Sequence, residues 1–296
     1  MLEQIKKALP EKIPTIQVDE DSLGPWSNST VKSLEKCPLK FFLDKGLRIK
    51  APEVLTEDSW VTYVGRAAHL WLERVTLGDT LSDGFEAAKE GHYHEVTDQY
   101  WHKVEELRGS VSKFQQRISE FISRNKVVKV YPELKIGITK DLKKTGFFSK
   151  DVYYRGVLDL PIQLENGDLV LLDHKYGGEG TWGLRNYMRQ LNSQKVLYHY
   201  GIQNVRGVQS GIHFIQNAEV TMAPYVPRAD IEEVLARELF MDIKDAVRNV
   251  QDTKQFGHKR GSQCKYCNYR SLCEGGKRGT AGELQFVIEE SKQIFK

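Results

Sequence analysis

The sequence predicts an α/β fold in which a central mixed sheet is covered on one side by helices from the first part of the chain. Three observations predict it. Apolar residues recur at helical spacing before residue 125, the pattern changes to strand-like alternation from Val127, and a strongly periodic helix returns over residues 231–250. With 296 residues, 40% hydrophobic and 28% charged, the chain is long enough to bury a full core.

Each element has a local reason. Residues 1–25 hold Pro10, Pro14 and Pro25 among mixed charge, which predicts a loosely attached arm. Ser27, Asn28 and Ser29 offer an N-cap to a short helix through Val31, Leu34 and Cys37, stopped by Pro38. Val61, Val64, Ala68, Leu72 and Val75 share one face of a helix that carries His69, and helices follow over 84–107 and 111–124. Val127 to Ile138 alternates like one strand. Residues 151–164 and 168–174 flank Asn166-Gly167, a favoured tight-turn pair, and predict a hairpin. A helix over 187–203, strands over 208–216 and 220–226, and a helix over 231–250 complete the order. No internal repeat or low-complexity linker interrupts it. The expected organisation is an arm over 1–25, a single domain over 26–280 with a helical part at 60–125 and an α/β core at 127–250, and a tail over 281–296.

Lys and Arg number 43 against 40 Asp and Glu, and a net charge of +3 does not by itself specify a nucleic-acid partner. Local charge is less even. Residues 123–150 carry eight Lys/Arg against Glu133 and Asp141, and residues 251–278 carry seven against Asp252 and Glu274. Such runs are usually solvated faces, but beside a metal site they can neutralise a phosphate backbone. Trp182, Tyr187 and Arg189 add candidate stacking groups. No stretch approaches the roughly 20 apolar residues of a membrane helix, and the first residues lack the apolar core of a signal peptide. The expectation is a cytoplasmic or nucleoid-associated protein with no membrane partner.

Four cysteines are too few for a disulfide scaffold. Cys37 stands alone, while Cys264, Cys267 and Cys273 form C-x2-C-x5-C, which in a reducing compartment points to metal. Four thiolates can hold zinc or an iron–sulfur cluster, and a lone pair followed by one cysteine and a remote fourth departs from the two knuckles of a zinc ribbon. Joining Cys37 to the others would clip the two ends of the sequence together.

The sharpest constellation runs from Gly156 to Asp159, across Asn166-Gly167, and on to Asp173, His174 and Lys175. Adjacent antiparallel strands across that turn can bring Asp159 and Asp173 together, a pairing that suits Mg²⁺ or Mn²⁺. A lone D-x-K is weak, and the spacing recurs at Asp141, Asp242 and Asp252. Only Asp173 follows a run as apolar as Leu169 to Leu172. Gln194 and Tyr198, four apart, share a face of the next helix.

The ordered set G-x-x-x-H (Gly65 to His69), G-x-x-D (Gly156 to Asp159), D-x-K (Asp173 to Lys175) and Q-x-x-x-Y (Gln194 to Tyr198) resembles the RecB-like branch of the PD-(D/E)xK nucleases. The cysteine arrangement is similar to its iron–sulfur subset, which includes AddB-type nuclease domains and the CRISPR-associated Cas-four exonucleases. The resemblance spans residues 27–275. It implies a restriction-endonuclease-like sheet flanked by helices and a C-terminal iron–sulfur region. It also implies a metal-dependent DNA exonuclease of repair or recombination, acting on single strands or ends. A non-catalytic DNA-binding subunit of a helicase–nuclease or CRISPR adaptation complex is the alternative, and a separate helicase or CRISPR integrase the implied partner. By the same resemblance His69, Asp159, Asp173 and the His174 carbonyl ligate the catalytic metal, and Lys175 assists the attacking water. Gln194 and Tyr198 support the site, and Cys37, Cys264, Cys267 and Cys273 hold a 4Fe-4S cluster. Tyr176 and His174 depart from the residue types the family often carries there. Glu133 stands where relatives can place another acidic group.

Overall fold

The computed structural model describes residues 20–21, 23–46, 48, 59–92, 98–177, 183–202, 205–253, 259 and 261–270. Its helices are α1 (Asn28–Lys36), α2 (Pro38–Phe41), α3 (Ser59–Thr76), α4 (Leu81–His92), α5 (Asp98–Glu105), α6 (Arg108–Arg124), α7 (Met188–Gly201) and α8 (Ala236–Thr253). Its strands are β1 (Val127–Val130), β2 (Leu134–Ile138), β3 (Lys144–Thr145), β4 (Tyr154–Leu158), β5 (Leu160–Leu164), β6 (Asp168–Lys175), β7 (Gly207–Phe214), β8 (Glu219–Met222) and β9 (Val226–Pro227). None of the described helices is long and apolar enough to cross a membrane. The chain divides into two compact units, Glu57–Arg237 and a second made from Met1–Thr56 with Glu238–Lys296.

In the Glu57–Arg237 unit, a mixed sheet runs in the order β1-β5-β6-β7-β8, with β9 also on β7, and a smaller sheet runs β3-β2-β4. Among the described strands only β6 and β7 pair in parallel, with α7 between them in the chain. Leu160, Ile162, Leu172 and Ile215 pack into one core with Trp71, Val75, Phe85, Val111 and Phe114 of α3 to α6. Ile212 and Phe214, on the other face of β7, pack with Leu191 of α7. The helices of the first part therefore cover one face, as the sequence predicts, and α7 covers the other, because β6 and β7 are buried parallel strands with apolar residues on either side.

Two segments expected as single strands are each divided. Pro132 lacks an N–H for a ladder, Glu133 takes a left-handed φ of 50°, and β1 and β2 consequently belong to different sheets. The returning segment divides at Asp159, between β4 and β5. Register nevertheless runs through the break: the alignment that pairs Val130 with Ile162 also pairs Leu134 with Leu158, and it sets Glu133 opposite Asp159. The Glu133 N–H donates to the Asp159 carbonyl at 2.9 Å, which secures that opposition. Across β5 and β6, Leu160 pairs with Leu172, so the next position sets Asp159 opposite Asp173. One bent hairpin and its neighbour thus align three carboxylates in a row.

In the second unit, Ser27 caps α1 through a capping box: its hydroxyl accepts from the Thr30 N–H at 3.2 Å and its own N–H donates to the Thr30 hydroxyl at 2.6 Å. Pro38 opens α2 directly after Cys37. Trp26 is fully buried and stacks on Phe41 with ring centres 6.1 Å apart. A 3-10 turn over Ser262–Tyr266 delivers Cys264 and leads into Cys267. The Lys259 ammonium and the Gln263 amide donate to the Glu35 and Lys36 carbonyls at 3.4 and 3.3 Å, so the segment bearing these cysteines is tied to the end of α1 that leads to Cys37.

Candidate metal centre

His69 lies on α3, Glu133 in the turn between β1 and β2, and Asp159 between β4 and β5. His69 Nδ1 stands 3.6 Å from Asp159 Oδ2 and 3.8 Å from Glu133 Oε1. One donor atom from each of the three falls within 4.8 Å of the others, a spread that one divalent cation with bonds of about 2.0–2.6 Å spans. Gly65, one turn before His69, lets the Tyr176 Cβ come within 3.4 Å of where a side chain would begin. Gly156 is required more strictly, since a Cβ there would lie 2.7 Å from the buried Leu197 methyl.

Asp173 is almost wholly buried. Its Oδ1 accepts from Gln190 Nε2 and Gln194 Nε2, both at 2.7 Å, and its Oδ2 meets the Lys175 ammonium at 2.5 Å. Sequence reasoning places Asp173 among the ligands and Glu133 at the margin, whereas the closest donor set here is His69, Glu133 and Asp159. Asp173 turns toward α7 and takes its countercharge from Lys175. Gln190 was missed, although it stands four residues before Gln194 on the same helical face.

His174 points to the opposite face of β6. Its N–H donates to Asp159 Oδ2 at 2.7 Å, while its ring packs edge-on to His69 and Phe114 and its Nδ1 lies 2.9 Å from that of His213. Tyr187 lies near Lys175, whose ammonium is 5.8 Å from the ring centre. Tyr198 is fully buried and does not line the cavity beside the site. That cavity, about 1000 Å³, is lined by Arg66, His69, Glu73, Glu133, Lys135 and Lys175, among others. Trp182 and Cys273 lie outside the described residues.

Burial, and then the charge of Asp173, pushes the Asp159 carboxyl up to about 7. Burial pulls Lys175 down, but the Asp173 and Asp159 carboxylates overcome it and hold the group above its ordinary value, so it is an ammonium. Burial likewise opposes the protonated His69, and the Glu133 hydrogen bond and Asp159 charge outweigh it. A crowded set of oxygen donors with one imidazole, two of whose members hold protons up to near neutrality, fits a hard divalent cation that would displace those protons.

Cys37, Cys264 and Cys267 carry free thiols. Burial raises Cys267, and Cys37 and Cys264 raise it further as like charges.

No curated protein matches the sequence significantly. Among solved structures, the crystal structure of SSO0001 aligns over 81% of this chain and 95% of its own at 12% identity, with a TM-score of 0.31, too loose an overlap to bear on the fold. The model of the PD-(D/E)XK nuclease superfamily matches residues 25–274, a span that includes every residue of the metal centre. With most of its length matched by that model, the chain belongs to the PD-(D/E)XK nuclease superfamily.

Proposed function

We propose that the protein is a metal-dependent deoxyribonuclease, an exonuclease on single-stranded DNA or DNA ends, with a structural 4Fe-4S cluster on Cys37, Cys264, Cys267 and Cys273. The observation that carries the reading is the row Glu133, Asp159 and Asp173, closed by His69 on one side and Lys175 on the other. His69, Glu133 and Asp159 hold the catalytic Mg²⁺ or Mn²⁺, with Asp173 completing the set. When bound, the cation polarises a phosphate and lowers the pKa of water. Lys175 is protonated, so it serves as a charge rather than a base: it orients water and stabilises charge that builds on phosphorus. Gln190 and Gln194 fix Asp173, which fixes Lys175. The Asp159 carboxyl gives up its proton near neutrality and stands ready as a ligand above that pH.

Support for the cluster is the joining of the Cys264–Cys267 segment to the end of α1, together with the single C-x2-C pair that a zinc ribbon would double. Its role is to hold the two ends of the chain. A separate helicase or CRISPR integrase would supply the motor or the destination of the cut strand.

The test is degradation of linear DNA labelled separately at its 5′ and 3′ ends, single- and double-stranded, with a circular single strand as control and Asp173→Ala as blank. Cutting of linear but not circular DNA by wild type alone is the expected result. Cluster-loaded wild type that cuts nothing in Mg²⁺ or Mn²⁺ would contradict the reading and leave a DNA-binding subunit.

A further inference from the structure

The β2–β4 sheet carries a tip, residues 139–153, that the metal centre does not use. Phe148 at its end is 80% exposed, the largest exposure among the large apolar side chains described. A solvated phenyl ring is ordinary when it is mobile, but this one is held. The Arg155 guanidinium lies 4.9 Å from the Phe147 ring centre and 5.7 Å from that of Phe148, and its Nη1 donates to the Phe147 carbonyl at 3.0 Å. The two phenyl rings meet edge to face with centres 4.9 Å apart. Thr145 donates to Asp151 at 2.8 Å, and the turn from Thr139 to Lys143 closes through the Thr139 N–H at 2.8 Å. Gly137 leaves the space that Val152 and the Gly146 carbonyl fill against β2, since a Cβ there would lie 2.9–3.0 Å from both.

The segment that carries the ring is basic. Between residues 135 and 155 stand six Lys/Arg (Lys135, Lys140, Lys143, Lys144, Lys150 and Arg155) against Asp141 and Asp151, and all five lysines are exposed. Asp151 already faces the Thr145 hydroxyl. An ordered aromatic face set among cations fits a polyanion that also presents flat rings, which is single-stranded nucleic acid. A lipid surface would call for an apolar patch wider than one ring.

The tip is joined to the site by the chain itself. β2 begins at the residue after Glu133, and β4 ends at the residue before Asp159. Five residues of strand at roughly 3.3 Å each carry the tip about 15–20 Å from Glu133. At about 3.4 Å per stacked base, that is on the order of five nucleotides.

We propose that this tip is a single-strand binding element in which Phe148 stacks on an unpaired base while Lys143, Lys144 and Lys150 contact phosphates, about five nucleotides from the metal centre. The proposal rests on the nucleic-acid reading above and names the part of the substrate the protein grips.

The test uses the full chain in EDTA, so that binding is read without cleavage, with fluorescent oligodeoxynucleotides of 3 and 12 residues. Phe148→Ala should weaken binding of the 12-mer about tenfold and leave the 3-mer unchanged, and Phe148→Tyr should restore the wild-type value within about twofold. K143Q/K144Q should flatten the slope of log affinity against log salt by about 1.4 for a single strand. A 12-mer carrying 5-bromouracil should photo-crosslink wild type within residues 144–150, which needs no variant to fold. Equal affinity of wild type and Phe148→Ala with no crosslink in that segment would overturn the proposal, as would Phe148-dependent binding to phosphatidylserine vesicles in place of DNA. A wild type that binds and crosslinks as described yet hydrolyses nothing in Mg²⁺ or Mn²⁺ would sink the nuclease reading and leave this contact standing. Hydrolysis with binding indifferent to Phe148 would do the reverse.

Discussion

The candidate metal centre draws His69, Glu133, Asp159 and Asp173 from a helix and three strand ends whose mutual spacing is fixed by ladder register, with β5 and β6 packed into one helix-covered core. Cys264 and Cys267 sit instead on a short 3-10 turn joined to the end of α1 by hydrogen bonds that water can reach. The first arrangement is rigid before any cation arrives, and its chemistry can be changed without loss of the fold. The second is a join between distant parts of the sequence, where the proposed cluster would supply much of the stability. Substitutions in the two places should therefore move different observables.

The largest effect should fall on catalysis. Asp159→Ala should lower DNA hydrolysis by about a thousandfold or more with little change in melting temperature, and Asp173→Ala should lose as much activity but also some stability, because it strands the Lys175 ammonium and two amide donors. Cys37→Ala should do the opposite. Loss of a clip across more than 200 residues, worth roughly 4–5 kcal/mol on the disulfide analogy, should lower the melting temperature by about 10 °C and release iron. A stable, iron-containing Cys37→Ala protein would break the comparison. Lys175→Met should cost about a hundredfold in rate, read by single-turnover hydrolysis, while divalent affinity holds or rises because an ammonium beside the ligands is gone.

Acid sharpens the contrast further. Asp159 has a folded-state value of about 7 against an ordinary 3.8, so its contribution to stability is present below pH 3.8 and is lost as pH rises through about 7. Metal-free protein should therefore melt at a lower temperature at pH 8 than at pH 6, added Mn²⁺ should reverse the order, and Mn²⁺ affinity should fall about tenfold per unit just below pH 7, steepening toward about a hundredfold where His69 is protonated as well. The smallest effect belongs to Glu133, whose left-handed backbone costs a side-chain-bearing residue about 1–2 kcal/mol. Glu133→Gly should leave the melting temperature unchanged or slightly raised while metal affinity drops. A clear loss of stability would mean that the turn depends on the side chain.

That Asp159 and Asp173 could meet was legible in the sequence, because Asn166-Gly167 turns a hairpin and the run Leu169 to Leu172 marks the strand that leads to Asp173 and Lys175, while the register came only with the structure and the roles only with the resemblance. Gly156 was legible for the same reason, and its packing against Leu197 gives the cause. Glu133 entered only through the resemblance, since alternation through Val127 to Ile138 looks continuous, and only pairing across strands reveals that the segment bends there and keeps its register. Gln190 was hidden because one amide suffices to make the helical spacing with Tyr198, and a second amide one turn earlier carries no signal until Asp173 is seen to accept from both. Tyr198 shows the reverse: its spacing marks the helical face, but its ring is fully buried and does not line the cavity. The Phe148 tip escaped notice because exposure of a single aromatic is a tertiary fact, and the surrounding lysines read equally well as a solvated turn.

The most direct test of the central claim, that register through a bent hairpin makes Glu133 a partner of Asp159 in holding the cation, is calorimetric titration of Mn²⁺ into wild type and Glu133→Gln at pH 8. One site in wild type, weakened at least tenfold in the variant with the melting temperature of the metal-free protein unchanged, is the predicted result. Equal affinity in the two proteins would contradict it, and would return the ligand set to His69, Asp159 and Asp173 alone.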